Sequence, residues 1–143
     1  MPDDMIEDCK GLASAQAVWD FTTGDARRCR DRLELVIDAA EQFRLQGIGF
    51  HFVILLHAQA TQFAARTLTG TKFKDPEGED FRAVQELLRR FAALGGRTEV
   101  CRIAMDRSAI APDNLIDCVV IERNVFVNAV ALQNRGYAYM PIS

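Results

Sequence analysis

Short β-favouring runs alternate along this chain with stretches whose apolar residues recur every three or four positions. Residues 16–22 (QAVWDFT) predict a first strand, and Thr22-Thr23-Gly24-Asp25 a turn in which Asp25 caps the next helix. That helix carries Leu33, Val36, Ile37, Ala40 and Phe43 on one face and ends near Gly47. Residues 49–56 (GFHFVILL) are almost continuously apolar, as befits a strand covered on both faces. A short helix over 59–68 follows, then a loop over 70–78 rich in Lys, Asp, Pro and Gly. The next helix shows Phe81, Val84, Leu88 and Phe91 on one face and closes at Gly95-Gly96. Residues 98–101 predict a third strand that runs straight into a helical turn over 102–108, and residues 118–122 a fourth. Asn124 can cap a last helix over 125–134, which stops at Gly136 and leaves 137–140 for a fifth strand.

This alternation calls for an α/β fold: a parallel sheet with helices on both faces, joined by right-handed crossovers. The order of the strands within the sheet is not written in the pattern. The last helix is apolar nearly all round, at Val125, Phe126, Val127, Ala129, Val130, Ala131 and Leu132. A helix without a polar face is buried on more than one side, and in so small a chain this predicts association with another subunit.

A length of 143 residues suits one domain over 1–143, with the first 15 or so residues loosely ordered. The acidic opening MPDDMIEDCK has no signal-peptide core, and no run approaches the ~20 apolar residues of a membrane span, so the expected location is the cytoplasm. A net charge of −3 argues against a dedicated nucleic-acid binder. The cluster Arg27, Arg28, Arg30 and Arg32 is interleaved with Asp25 and Asp31, as on a solvated helix face.

Ligands of open parallel sheets bind beyond the carboxyl ends of the strands. That rule nominates Thr22 and Thr23, His57 and Gln59, Cys101 and Arg102, and Glu122, Arg123 and Asn124. Among the four cysteines, at 9, 29, 101 and 118, none forms a C-x-x-C pair and the spacing matches no common zinc pattern. Cys101 stands apart because it closes a strand and opens a helical turn. Unpaired N–H groups there, with Arg102 and Arg107 nearby, favour the thiolate. Its other reading is a buried apolar cysteine. Cys118 reads as packing, Cys29 as an exposed thiol without a partner, and Cys9 as part of a frayed terminus. His57 could act as a base or thiolate partner, or serve structure alone. His51 and His57 lie about 20 Å apart on one extended strand and cannot share a metal. Asp20 sits in the first strand, but the further residues of a receiver domain are missing. No G-x-G-x-x-G, P-loop or G-x-S-x-G occurs.

The opening VWDFTTGD, the strand FHFVILLHAQA, the segment LGGRTEVCRIAMDRSAI and the closing NAVALQNRGYAYMPI together resemble the DsrE/DsrF-like (YchN-like) family, from about Ala17 to Ile142. The resemblance implies a three-layer α/β/α domain with a five-stranded parallel sheet, assembled into trimers or hexamers. Some relatives, the DsrE and TusD proteins of sulfur relay, carry a persulfide on a cysteine that corresponds to Cys101. They accept sulfane sulfur from one thiol and pass it to another, without a metal or organic cofactor. The chain departs from the pattern at His57-Ala58, where several relatives have His-Gly, which narrows the pocket beneath Cys101. On this reading Cys101 is the catalytic residue, and Thr22, Thr23, His57, Gln59, Arg102 and Asn124 line or serve its pocket. Its partners are sulfur donors and acceptors, proteins or small thiols. Two competing readings are a non-catalytic oligomer that binds a ligand or partner beside an inert Cys101, and a redox sensor that forms a sulfenic acid.

Overall fold

The structure, a computed structural model, describes residues 6–143. The strands β1 (Ser14–Phe21), β2 (Gly49–Leu56), β3 (Arg97–Cys101), β4 (Val119–Glu122) and β5 (Ala138–Ile142) form one sheet in the order β4-β3-β2-β1-β5. All four pairings are parallel. The connecting helices are α1 (Ala26–Leu45), α2 (Glu79–Ala93), α3 (Arg102–Arg107) and α4 (Val125–Asn134), with 3-10 helices at Glu7–Cys9 and Ala58–Ala64. The sequence thus specified the α/β class and the sheet, and the structure supplies the order.

That order explains the layers. The steps from β1 to β2 and from β2 to β3 run the same way across the sheet, so crossovers of one hand lay α1 and α2 on one face. The step from β4 to β5 returns across the whole sheet, and the same hand lays α4 on the other. The main core accordingly joins Leu33, Val36, Ile37 and Ala40 of α1 to Phe81, Val84, Leu88 and Phe91 of α2 over Phe52, Ile54 and Leu56 of β2. Opposite lies a small cluster of Val18, Val53, Leu55, Cys101 and Val125. Alternation along each strand sorts the residues: even positions of β2 face α1 and α2, odd ones face α4.

Asp25 and Asn124 cap their helices as expected, accepting from the N–H groups of Arg28 and Phe126, each at 3.0 Å. The arginine cluster is a solvated face in which Arg30 pairs with Glu34 and Asp80, and Arg32 with Asp31.

Several expectations need correcting. The start of the chain was expected to be loose to about residue 15, yet Cys9 is buried in the main core and β1 begins at Ser14; residues 1–5 lie outside the described residues. The segment expected as a helix over 59–68 is a 3-10 helix that stops at Ala64, because Ala65 turns into an antiparallel bridge with Leu115. The fifth strand runs to Ile142, drawn on by pairing with Phe21. Within the chain α4 is not buried on several sides. Only Val125 is fully buried, whereas Phe126, Val127 and Val130 are 65%, 66% and 58% exposed, since among the described residues no other element packs outside this helix.

Candidate functional site

The site grows from the ends of β1, β2 and β3. Leu56 pairs with Val100, so the next residues, His57 and Cys101, leave the sheet from adjacent strand ends. Both are odd-numbered continuations of their strands and lie on the α4 side, as does Asp20 of β1, which pairs with Leu55. His57 keeps extended backbone and donates its N–H to the carbonyl of Phe21 at 3.3 Å.

Nε2 of His57 lies 2.5 Å from Oδ1 of Asp20, and the Tyr139 hydroxyl donates to Oδ2 of the same carboxylate. Burial works to raise the Asp20 carboxyl, but the hydrogen bonds from His57 and Tyr139 and the charge of His57 hold it below its ordinary range. An ionised carboxylate only accepts, so Nε2 carries a proton in either charge state, and in the neutral imidazole the lone pair is on Nδ1. The Asp20 bond pushes the Tyr139 phenol up to about 12, burial adding to the effect. Phe126 meets the imidazole in a T-shaped contact, with ring centroids 5.6 Å apart.

A cavity of about 750 Å³ opens beyond these strand ends, within the range of small-molecule sites. Cys101, His57, Gln59 and Asn124 line it together, as the carboxyl-edge rule predicts. Phe73, Ile103, Ala104 and Phe126 supply apolar wall, and Lys72, Arg107 and Ser108 stand on it as well. Cys101 is 7% exposed and takes the N-cap position of α3, but its sulfur makes no capping hydrogen bond, and α3 has only six residues.

Five nominated residues, Thr22, Thr23, Arg102, Glu122 and Arg123, are not brought to this cavity. Thr22 donates its N–H to the carbonyl of Ile142 at the end of β5, and the Thr23 hydroxyl accepts from the Asp25 N–H in the turn before α1. Arg102 points along α3 and pairs with Asp106 at 3.0 Å, so it does not assist the Cys101 thiolate as expected. Cys29 is not an exposed thiol. It is 1% exposed, and burial, aided by the charge of Asp25, pushes its pKa up to about 12. Glu122 is held by Arg97 at 3.1 Å.

Sequence reasoning passed over Asp20 as a partner of His57, although a carboxylate in a buried strand was itself a signal. Tyr139, Lys72 and Phe73 carried no local mark, because only the sheet order and the return of the loop bring them in.

The model of the DsrE/DsrF-like family matches residues 22–142. The chain belongs to the DsrE/DsrF-like family. An uncharacterised protein of Aquifex aeolicus (strain VF5) is 28% identical over 127 residues, which cover 88% of this chain and 55% of that protein. The chain therefore spans about half the length of this curated relative. Among solved structures, the protein of unknown function MTH1491 from Methanobacterium thermoautotrophicum superposes with a TM-score of 0.68 at 16% identity, covering 90% of this chain and 99% of that one. The ychN protein from E. coli gives 0.59 at 18% identity, with 88% and 98% covered. These likenesses show the fold.

In this DsrE/DsrF-like chain the residue after His57 takes a conformation that suits glycine. Ala58 has φ +51°, and its side chain lines the cavity. Among the described residues, no helix is long and apolar enough to cross a membrane, and no group of three or more His, Cys, Asp or Glu is placed to hold a metal ion.

Proposed function

We propose that this chain is a sulfur carrier in which Cys101 holds a persulfide and passes its sulfane sulfur to an acceptor thiol. The observation that carries the reading is the shared wall: Cys101 lines one cavity with His57, whose proton is fixed on Nε2 by Asp20. Membership of a family associated in general with sulfur relay supports it. Nδ1 of His57 takes the thiol proton, and the Cys101 thiolate attacks the outer sulfur of a donor persulfide. Asp20 steadies the imidazolium that forms, as an oriented carboxylate does behind other catalytic histidines.

The test is passage of labelled sulfane sulfur from a donor persulfide through the protein to an added thiol. Transfer that depends on Cys101 supports the reading. Equal transfer by Cys101→Ser contradicts it. The low exposure of Cys101 favours a second reading, in which the cavity binds a ligand beside an unreactive thiol; a Cys101 that resists alkylation until the chain unfolds would establish it.

We also infer that the chain works in the cytoplasm as one domain over its whole length and pairs with copies of itself through α4. The outward Phe126, Val127 and Val130 support the association. A monomer mass by light scattering at micromolar concentration would contradict it.

A further inference from the structure

The chain carries a net charge of −3, yet the cavity beside Cys101 has Lys72 and Arg107 on its wall and no Asp or Glu. Many of the chain's other cations are neutralised in place: Arg30, Arg82, Arg90, Arg97 and Arg102 all pair with carboxylates. Lys72 and Arg107 belong to no ion pair among the described residues.

Backbone contacts put the two on one rim. The Lys72 N–H donates to the carbonyl of Ser108, the residue after Arg107, at 2.9 Å. Two like charges so placed raise the local potential and favour an anion between them. Cys101 and Arg107 stand at opposite ends of α3, a six-residue helix, so the rim lies about 9 Å along the axis from the cysteine. Between them the wall is apolar, at Phe73, Ile103 and Ala104.

We propose that the cavity takes a small organic thiol and its persulfide, bearing a carboxylate or phosphate that sits between Lys72 and Arg107 while its sulfur meets Cys101. The spacing selects an extended molecule of small-peptide size over an inorganic sulfur anion, which cannot reach both ends. The proposal rests on the carrier reading and names its substrate class. In the step itself, the Cys101 thiolate attacks the outer sulfur of R–S–SH. A new S–S bond forms at Cys101, the donor's S–S bond breaks, and R–S⁻ leaves. Cys101–S⁻ and R–S–SH give Cys101–S–SH and R–S⁻, so no external oxidant or reductant is needed.

The experiment measures the rate at which the full chain acquires sulfur on Cys101 from glutathione persulfide, from its N-acetyl diethyl ester, which carries no charge, and from coenzyme A persulfide. An anionic donor should outpace the ester roughly tenfold, the scale of one charge-assisted contact. In the Lys72→Gln/Arg107→Gln chain that ratio should fall toward one, while Lys74→Gln, a cation outside the cavity, should keep it. Both replaced side chains are exposed, so the fold is not at stake. The faster anionic donor identifies carboxylate or phosphate. Equal rates for all three donors overturn the proposal and leave the carrier reading standing. Should no donor charge Cys101, the carrier reading falls, and calorimetry with S-methylglutathione decides the anion site alone. Saturable binding weakened roughly tenfold in the double variant supports that site, and absence of binding overturns it.

Discussion

Asp20 and His57, 37 positions apart in the chain, meet at 2.5 Å between Oδ1 and Nε2 because β1 and β2 are neighbours in register. The contact sets the tautomer of the neutral imidazole, with its proton on Nε2 and its lone pair on Nδ1.

If Nδ1 takes the thiol proton, His57→Gln slows sulfur loading of Cys101 in a pH-dependent way. An unassisted thiol is only a few per cent thiolate at pH 7, so the loss there is roughly 10–30-fold. The deficit closes as pH rises and the thiol ionises unaided. A pH–rate profile checks this; a constant deficit across pH would make His57 a structural residue.

The Asp20 carboxylate couples the site to stability. Its pKa in the fold lies below the ordinary 3.8, so its contribution is fully present above that value and is lost as pH falls through the lower one. Asp20→Asn should cost about 1–3 kcal/mol at neutral pH, and the gap from the wild type should close in strong acid. Urea unfolding at several pH values reads it.

Tyr139 acts in the opposite sense. Its phenol is raised from 10.0 to about 12, so the stability it adds is complete below pH 10 and disappears between 10 and 12. The side chain is well exposed, and solvent screening keeps the effect small. The stability difference between wild type and Tyr139→Phe should shrink over that window.

Ala58 sits at φ +51°, where a β-carbon costs about 1–2 kcal/mol. Glycine there gives back roughly 0.5–1 kcal/mol through the greater freedom of the unfolded chain. Ala58→Gly should therefore stabilise the protein by a few tenths to about 1 kcal/mol and widen the cavity beneath Cys101. Thermal unfolding reports the first effect; a lower midpoint would show that the methyl group has a packing role.

Much of this was legible in the sequence, and for physical reasons. The faces of α1 and α2 could be read because burial imposes a helical period on Leu33, Val36, Phe81 and Leu88. The carboxyl-edge rule found Cys101, His57, Gln59 and Asn124, because parallel strands end at one edge. What it could not find depends on strand order. Tyr139 reaches Asp20 only because β5 pairs with β1 on the far side from β2. Likewise Arg102 and Arg107 look alike in sequence, and only the turn of α3 decides which one faces the cavity.

The thiols should differ in kind. Cys29, buried with a pKa near 12, should react with iodoacetamide only after unfolding, while Cys101 should react in the native protein through the cavity. Peptide mapping after a timed pulse at pH 8 distinguishes them.

The most direct measurement is the mass of Cys101 after sulfur loading. Reduced protein is incubated with a persulfide donor, trapped with an alkylating agent and mapped by mass spectrometry. If Cys101 carries the persulfide, one added sulfur atom is found on it and is absent in Cys101→Ser. A Cys101 that stays unmodified while the donor charges another thiol, or none, would contradict it.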